Sequence, residues 1–337
     1  MRVDVLNAEG RDAAVDYTAG PGAPAADVHP PVNYWAYAAA TRGRFCRHLH
    51  EVDPAADAVV VLLRRSNRAA LAAVRALKRQ GRRVFLSWKE TGVHQIESQL
   101  ISWRFWEQPR LHALHALADG AIASTLASIA YYRRFGGAAY PVHYIPTPYP
   151  VDEPAWDFSV PLQERSGIFV GTREFDVPTR RHADALRTAA TVARRVGCRV
   201  TVLNADGECA RRKIFALLDG VPDINLVERK LAYPEYLRLI ANHRIVLQRD
   251  ISQVPGQVAG DALLCRVINL GGNGTTQQIT FPEYSAMDDD EVTLAATAEK
   301  LLRDDAAYTQ AINLSQTLAT EKLSFAAGRE LLEGLRR

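Results

Sequence analysis

The feature that most restricts this chain is an alternation: short runs of β-branched and other apolar residues take turns with stretches whose apolar positions recur every three or four residues. The runs fall at residues 2–7, 58–63, 83–87, 120–124 and 142–145, and again at 167–170, 199–203, 224–227, 245–248 and 267–270. Between the second and third runs, Leu71, Val74 and Leu77 share one helix face while Arg75, Lys78 and Arg79 take the other, which is the pattern of a βαβ crossover. In the second half Ala183, Leu186 and Ala190 form one apolar stripe, Ile214, Leu217 and Leu218 a second, Leu237 and Ile240 a third, and Leu294, Ala298 and Leu301 a fourth. Such an order predicts an α/β fold with parallel sheets covered by helices on both faces.

A single core stops growing near ~250–300 residues, so 337 residues with 47% hydrophobic content predict two. The stretch 146–161 carries Pro146, Pro148, Pro150, Pro154 and Pro161 with little periodicity; it reads as a linker and puts a boundary at 160. The loop 19–26, rich in Gly, Pro and Ala, reads as mobile. Two Rossmann-like, doubly wound lobes in tandem, facing across a cleft, are the expected architecture. Ligands of open parallel sheets bind beyond the carboxyl ends of the strands, so function belongs in the loops facing the gap.

The 41 basic and 38 acidic residues are spread through the chain, which excludes a polybasic tail built for nucleic acid, while the net charge of +3 suits a phosphate-bearing ligand. Cys46, Cys198, Cys209 and Cys265 show no C-x-x-C spacing and read as reduced thiols. The chain enters its apolar alternation without a secretory signal, and its apolar runs fall short of the ~20 residues of a membrane span, so a cytoplasmic location is expected. His94, His112, His115 and His143 lack metal-ligand spacing and read as surface or packing residues. Trp103, Phe105 and Trp106 read as a core or interdomain contact.

Three clusters carry candidate chemistry. The run ending at Val170 leads into Gly171-Thr172-Arg173, and Pro178-Thr179-Arg180-Arg181 precedes the next helix. A glycine there lets a phosphate approach the backbone and the guanidinium groups match its oxygens; an ordinary turn before a solvated basic helix start fits equally. In the second cluster Gln253, Pro255 and Gly256 form a loop, a helix opens near Gln257, and Asp261 lies one turn in. Free N–H groups at that helix start can hold a diphosphate while Asp261 accepts from ribose hydroxyls, or the glycines merely make turns and Asp261 favours its own helix dipole. In the third, Trp88, Lys89 and Glu90 leave a strand of the first half and offer a stacking surface and polar contacts for an acceptor, unless Trp88 is core and the charges are solvated.

From Phe169 onward these residues resemble the retaining GT-B glycosyltransferases of the large family that includes sucrose synthases and bacterial mannosyltransferases. That family carries a Glu, then Gly-aromatic-Gly, then a second Glu eight positions after the first. Here Gln253 stands at the first Glu, Gly256 at the second glycine and Asp261 at the second Glu. The resemblance gives Asp261 the donor ribose and Gln253 a hydrogen bond near the transferring sugar. Gly171-Thr172-Arg173, with Arg180 or Arg181 in place of the family's lysine, is similar to the family's diphosphate-binding motif; Lys230 and Leu231 fall where it holds the nucleobase. The segment 316–337 looks like the terminal helix that packs back on the first lobe, leaving 1–160 as the acceptor lobe and 161–315 as the donor lobe. The first half matches only in outline, through Ala118 to Ser124, Tyr131 to Phe135 and Val142 to Thr147, with no recognisable glycine-rich loop after the first strand.

The implied reaction is transfer of a sugar from a nucleotide diphosphate sugar, used as co-substrate with no further cofactor, to an acceptor hydroxyl with retention. Arg173 and Arg180 or Arg181 would stabilise the leaving diphosphate. No Asp-x-Asp motif stands where a divalent ion would be needed, and Asp288 to Asp290 read as a helix start, so metal independence is expected. The acceptor stays open between a small molecule, a lipid or polysaccharide, and modified bases in DNA, which the Arg64-Arg65-Ser66-Asn67-Arg68 loop permits. A non-catalytic sugar-nucleotide binding module is the third reading, kept open by Gln253.

Overall fold

The computed structural model describes residues 1–89, 92–97, 105–285 and 291–336. The first half runs β1 (Val3–Leu6), β2 (Val15–Asp16), α1 (Trp35–Ala40), β3 (Arg44–Cys46), β4 (Ala58–Leu63), α2 (Arg68–Arg79), β5 (Val84–Trp88), the single turn α3 (Val93–Gln95), α4 (Gln108–Leu117), β6 (Gly120–Ala123), α5 (Ile129–Gly136) and β7 (Val142–Tyr144). Among the described residues seven strands form one sheet in the order β2-β3-β1-β4-β5-β6-β7, parallel except for β2. All six residues of β4 are buried, as a central parallel strand covered on both faces requires. One face packs Val59, Val61 and Leu86 against Val74 and Leu77 of α2 and Leu111 and Leu114 of α4.

The second half runs β8 (Ile168–Thr172), α6 (His182–Val196), β9 (Val200–Asn204), α7 (Glu208–Leu217), β10 (Ile224–Val227), α8 (Tyr233–Ala241), β11 (Ile245–Leu247), α9 (Gln257–Leu264), β12 (Ile268–Leu270), α10 (Thr275–Thr280), α11 (Glu291–Arg303), α12 (Asp305–Lys322) and α13 (Phe325–Glu333). Among the described residues five parallel strands follow the order β10-β9-β8-β11-β12, so the chain winds outward from β8 in both directions. The switch points, between β1 and β4 in one lobe and β8 and β11 in the other, set each ligand crevice at the carboxyl ends of the strands.

Several expectations are corrected. Residues 146–161 are not a free linker: Tyr149 and Trp156 are buried with Phe169, Leu237 and Val246 of the second lobe, and the Trp156 indole N–H donates to the Gly22 carbonyl at 2.9 Å. That bond also ties down the loop expected to be mobile. The boundary at 315 falls inside α12, which runs without Pro or Gly to Lys322; the helix break comes at Leu323 and Ser324. Beyond it, Phe325, Leu332 and Leu335 join the core of the first lobe beside Val3, Trp35 and Phe85, and Asp152 accepts from the Phe325 and Ala326 N–H groups at the start of α13, each at 3.0 Å. Phe105 and Trp106 are 76% and 51% exposed rather than core. Trp103 and Asp288 to Asp290 lie outside the described residues.

Candidate functional site

A cavity of about 1030 Å³ occupies the cleft and is lined by loops from the carboxyl ends of strands in both sheets. On the second-lobe side β8 delivers Gly171, Thr172 and Arg173 to its wall. A Cβ added to Gly171 would meet only the Phe169 ring, at 3.7 Å, so packing within the protein does not demand a glycine there. Arg173 is exposed to the cavity, and Thr172 is buried with its hydroxyl bonded to the Leu203 carbonyl at 3.3 Å. Arg180 also lines the cavity, clamped between two carboxylates: Nη2 donates to Glu174 at 2.8 Å and Nη1 to Asp250 at 2.5 Å. Arg181 is not among the described residues lining the cavity; it takes a left-handed φ of 48° to start α6. Of the two arginines offered for the lysine position, the geometry therefore selects Arg180.

The loop before α9 forms the facing wall, through Val254, Pro255, Gly256 and Gln257. Gly256 needs to be glycine twice over: its φ is +93°, and a Cβ would come within 2.2 Å of Gln277 Oε1. The loop places the first turn of α9 at the cavity, where unpaired N–H groups favour an anion. Gln253 is not among the described lining residues. Its φ is 52° and its backbone N–H donates to Asn273 at 3.0 Å, so the chain reaches the wall one residue later, at Val254.

Asp261 lines the cavity from a fully buried position. Burial raises its carboxyl from the usual value to about 7, against the lowering effect of hydrogen bonds donated by the Tyr233 and Tyr236 hydroxyls. The carboxylate is thus already engaged within the protein, a constraint on its expected ribose contact. Lys230 and Leu231 follow β10 and line the outer end near Asn204 and Glu228, which are joined at 3.0 Å.

The first lobe presents a different surface. Trp88 lines the cavity but is 1% exposed and packed in the core beside Tyr132, ring centres 6.1 Å apart, so it is no open stacking platform; among the described residues its indole nitrogen has no hydrogen-bond partner. Lys89 lines the cavity, but its ammonium is paired with Asp12 at 2.6 Å and lies 5.4 Å from the centre of the Tyr34 ring. Glu90 lies outside the described residues. Asn33, Tyr34, Gln95, Ser124 and Thr147 complete this side, all missed from the sequence. Ser124 and Thr147 follow β6 and β7, so the rule of strand carboxyl ends could have found them; Asn33 and Tyr34 precede a helix that has no polar face to reveal it. Gln248, Asp250 and Gln277 on the second lobe were missed in the same way.

Charge divides the cavity. From the second lobe come Arg173, Arg180, Arg229 and Lys230 against Glu228, Asp250 and Asp261, with Arg180 held by Glu174 and Asp250 and Arg229 by Glu235. Among the described residues the first lobe adds hydroxyls, amides and aromatic edges around one neutralised lysine. Arg64, in the loop that permits a DNA acceptor, donates to the Ala8 carbonyl.

No family model and no curated protein matches the chain. Solved structures do. HepE of Anabaena, in complex with UDP, superposes with a TM-score of 0.60 at 13% identity over 83% of this chain and 79% of its own. The sucrose-phosphate synthase of Thermosynechococcus elongatus gives 0.55 at 16% identity over 84% and 73%, and the trehalose-6-phosphate synthase OtsA 0.58 at 12% over 83% and 72%. The fold is the two-lobed GT-B arrangement.

Proposed function

We propose that the chain is a glycosyltransferase that moves a sugar from a nucleotide diphosphate sugar to an acceptor hydroxyl with retention, the lobe from 161 to the helix break at Leu323 serving as donor lobe and 1–160 as acceptor lobe. The observation that carries this reading is one cavity in which Arg173, Arg180 and the unfilled space at Gly171, from the end of β8 and the loop after it, meet the first turn of α9 from the loop after β11. That set suits a pyrophosphate: two guanidinium groups for the oxygens, a bare backbone for close approach, and helix N–H groups opposite. HepE binds UDP and UDP-glucose in its solved complexes, which makes uridine diphosphate sugars the first donors to try.

In the reaction the bond from the anomeric carbon to the β-phosphate breaks, the acceptor oxygen bonds to that carbon, and the acceptor proton passes to the departing phosphate. The cations work on the charge that develops on the leaving group, and the enclosing lobes keep water from competing. Retention rests on the family resemblance of the 253–261 segment. The acids that line the described cavity are Glu228, Asp250 and Asp261, Asp250 paired with Arg180 and Asp261 with tyrosines. Metal independence belongs to the same proposal, with arginines in the place of a cation. A cytoplasmic location accords with four free cysteines; no described helix is long and apolar enough to cross a membrane.

The test is direct. Melting in the presence of a nucleotide and nucleotide-sugar panel should show stabilisation by uridine diphosphate compounds. Incubation with UDP-glucose and EDTA should release UDP, with the anomeric configuration of the product read by proton NMR. An unmoved melting point across the panel, or a product of inverted configuration, would count against the donor reading or the retention respectively.

A further inference from the structure

The resemblance assigns the transferring sugar to position 253, yet the Gln253 backbone turns that residue out of the described wall. Another glutamine stands in the wall. Gln277, on α10, is 1% exposed, lines the cavity, and among the described residues its buried Oε1 has no hydrogen-bond partner. A buried amide oxygen left unpaired costs free energy unless something supplies a donor, so an orphan in a ligand cavity calls for an explanation.

The surroundings are built to this amide. A Cβ on Gly256 or Gly274 would come within 2.2 or 2.3 Å of Oε1, and one on Gly272 within 3.3 Å of Nε2, so three glycines of two loops leave the room it occupies. The loops are themselves cross-tied: the Thr275 N–H donates to the Val254 carbonyl and the Thr276 N–H to the Pro255 carbonyl, both at 2.9 Å. Packing alone would be served as well by an apolar side chain of the same length.

We infer that Gln277 reads a hydroxyl of the transferring sugar, taking the place that the resemblance gives to Gln253. The inference rests on the donor reading above and narrows it. What the orphan lacks is a donor, and this rules out the diphosphate as its partner, while the comparison of UDP-glucose with UDP separates the hexose from the ribose. Ionised diphosphate oxygens only accept, whereas each ring hydroxyl of a hexose both donates and accepts, meeting Oε1 and Nε2 of one amide together. Arg173 and Arg180 meanwhile stand on the loop after β8, so phosphate and hexose have separate partners. A neutral amide also leaves the field around the leaving group unchanged, as a carboxylate at this place would not.

The experiment compares UDP-glucose with UDP by calorimetry on the wild type and on Gln277→Met, which keeps length and removes both polar atoms. The expected result is a roughly 10-fold weaker Kd for UDP-glucose with Kd for UDP changed less than about 2-fold. Equal weakening of both, or neither, overturns the inference and leaves the donor reading standing; a wild type that binds neither ligand removes both. Deoxy analogues of UDP-glucose supply the second measurement and need no variant. On the wild type, loss of one ring hydroxyl should weaken binding by about 10-fold. In Gln277→Met the same deletion should cost nothing further, and a penalty that persists there overturns the inference.

Discussion

The two lobes are built on one plan and present opposite surfaces. Each is a parallel sheet with the ligand crevice at a switch point, yet the second brings arginines and carboxylates to the cavity while the first brings Asn33, Ser124, Thr147 and a lysine already neutralised by Asp12. The scaffold therefore decides only where a site lies, and the loops decide what it does. If the reaction separates a diphosphate from a cationic sugar, charge is needed on one side of the scissile bond alone, and a neutral wall opposite selects an acceptor by shape and hydrogen bonding.

The largest expected effect tests this asymmetry. Arg173→Ala should lower kcat with UDP-glucose by about 100- to 1000-fold, whereas Lys89→Ala on the facing lobe should cost less than about 10-fold, since its charge is spent on Asp12 at 2.6 Å. Comparable losses from Lys89→Ala and Arg173→Ala would break the contrast between the lobes.

Next come opposite pH dependences, one from each lobe. Burial raises Asp261 from 3.8 to about 7, so the folded donor lobe binds the proton more tightly than the unfolded chain, and stability falls as pH rises from about 4 through 7. His115 is buried in the first-lobe core, and burial lowers its ring from 6.5 to about 4 although the Leu111 carbonyl accepts from Nδ1 at 2.7 Å. Its contribution is present above 6.5 and is lost as pH falls through 4. Asp261→Asn should gain on the wild type as pH rises from 5 to 8, by at most about 3 kcal/mol, and His115→Leu should gain as pH falls from 6.5 to 4. Urea unfolding at four pH values checks both; parallel pH profiles for wild type and variant would refute the assigned group.

A somewhat smaller effect is expected where the lobes are joined. A Cβ at Gly260 would lie 1.9 Å from Cζ of Tyr149, whose ring is buried against α9 and whose N–H donates to the Leu323 carbonyl at 2.7 Å. Gly260→Ala should destabilise by roughly 2–3 kcal/mol and loosen α13 from the first lobe, seen as faster hydrogen exchange over 325–333. Full stability would show that Tyr149 can move aside without consequence.

What was legible in the sequence follows the same division between local and distant causes. Val59, Val61 and Ile268 declare buried strands because parallel sheets need continuous apolar runs, and Gly171, Arg173, Gly256 and Asp261 could be placed near strand ends, whence the fold carries them to one cavity. Helix α1 escaped because all six of its residues are buried, which leaves no amphipathic period, and β3 because it is three residues long. The tyrosines engaging Asp261 precede it by 28 and 25 positions, and the amide of Gln277 meets Gly256 from 21 residues away. Such pairings are products of the packed loops and have no local signature. Resemblance supplied the position of Gln253 but not its direction, because a left-handed turn at one residue is invisible to motif spacing.

The smallest effect concerns a residue through which the neutral lobe reaches the charged one directly across the cavity wall. Asn33 Nδ2 donates to Gln257 Oε1 at 2.9 Å, from a residue held at φ 54°. Asparagine tolerates this left-handed conformation better than other residues with a side chain, and glycine better still. Asn33→Gly removes the hydrogen bond without adding strain, whereas Asn33→Ala removes it and adds about 1 kcal/mol of backbone cost. If the bond holds the lobes together, both variants should weaken donor binding by a similar few-fold, about 1 kcal/mol, and only Asn33→Ala should also lower the melting point. If Asn33→Gly binds UDP-glucose as tightly as the wild type, closure rests instead on the Val93 N–H bond to the Ser252 carbonyl, at 3.2 Å, and the apolar contact behind it.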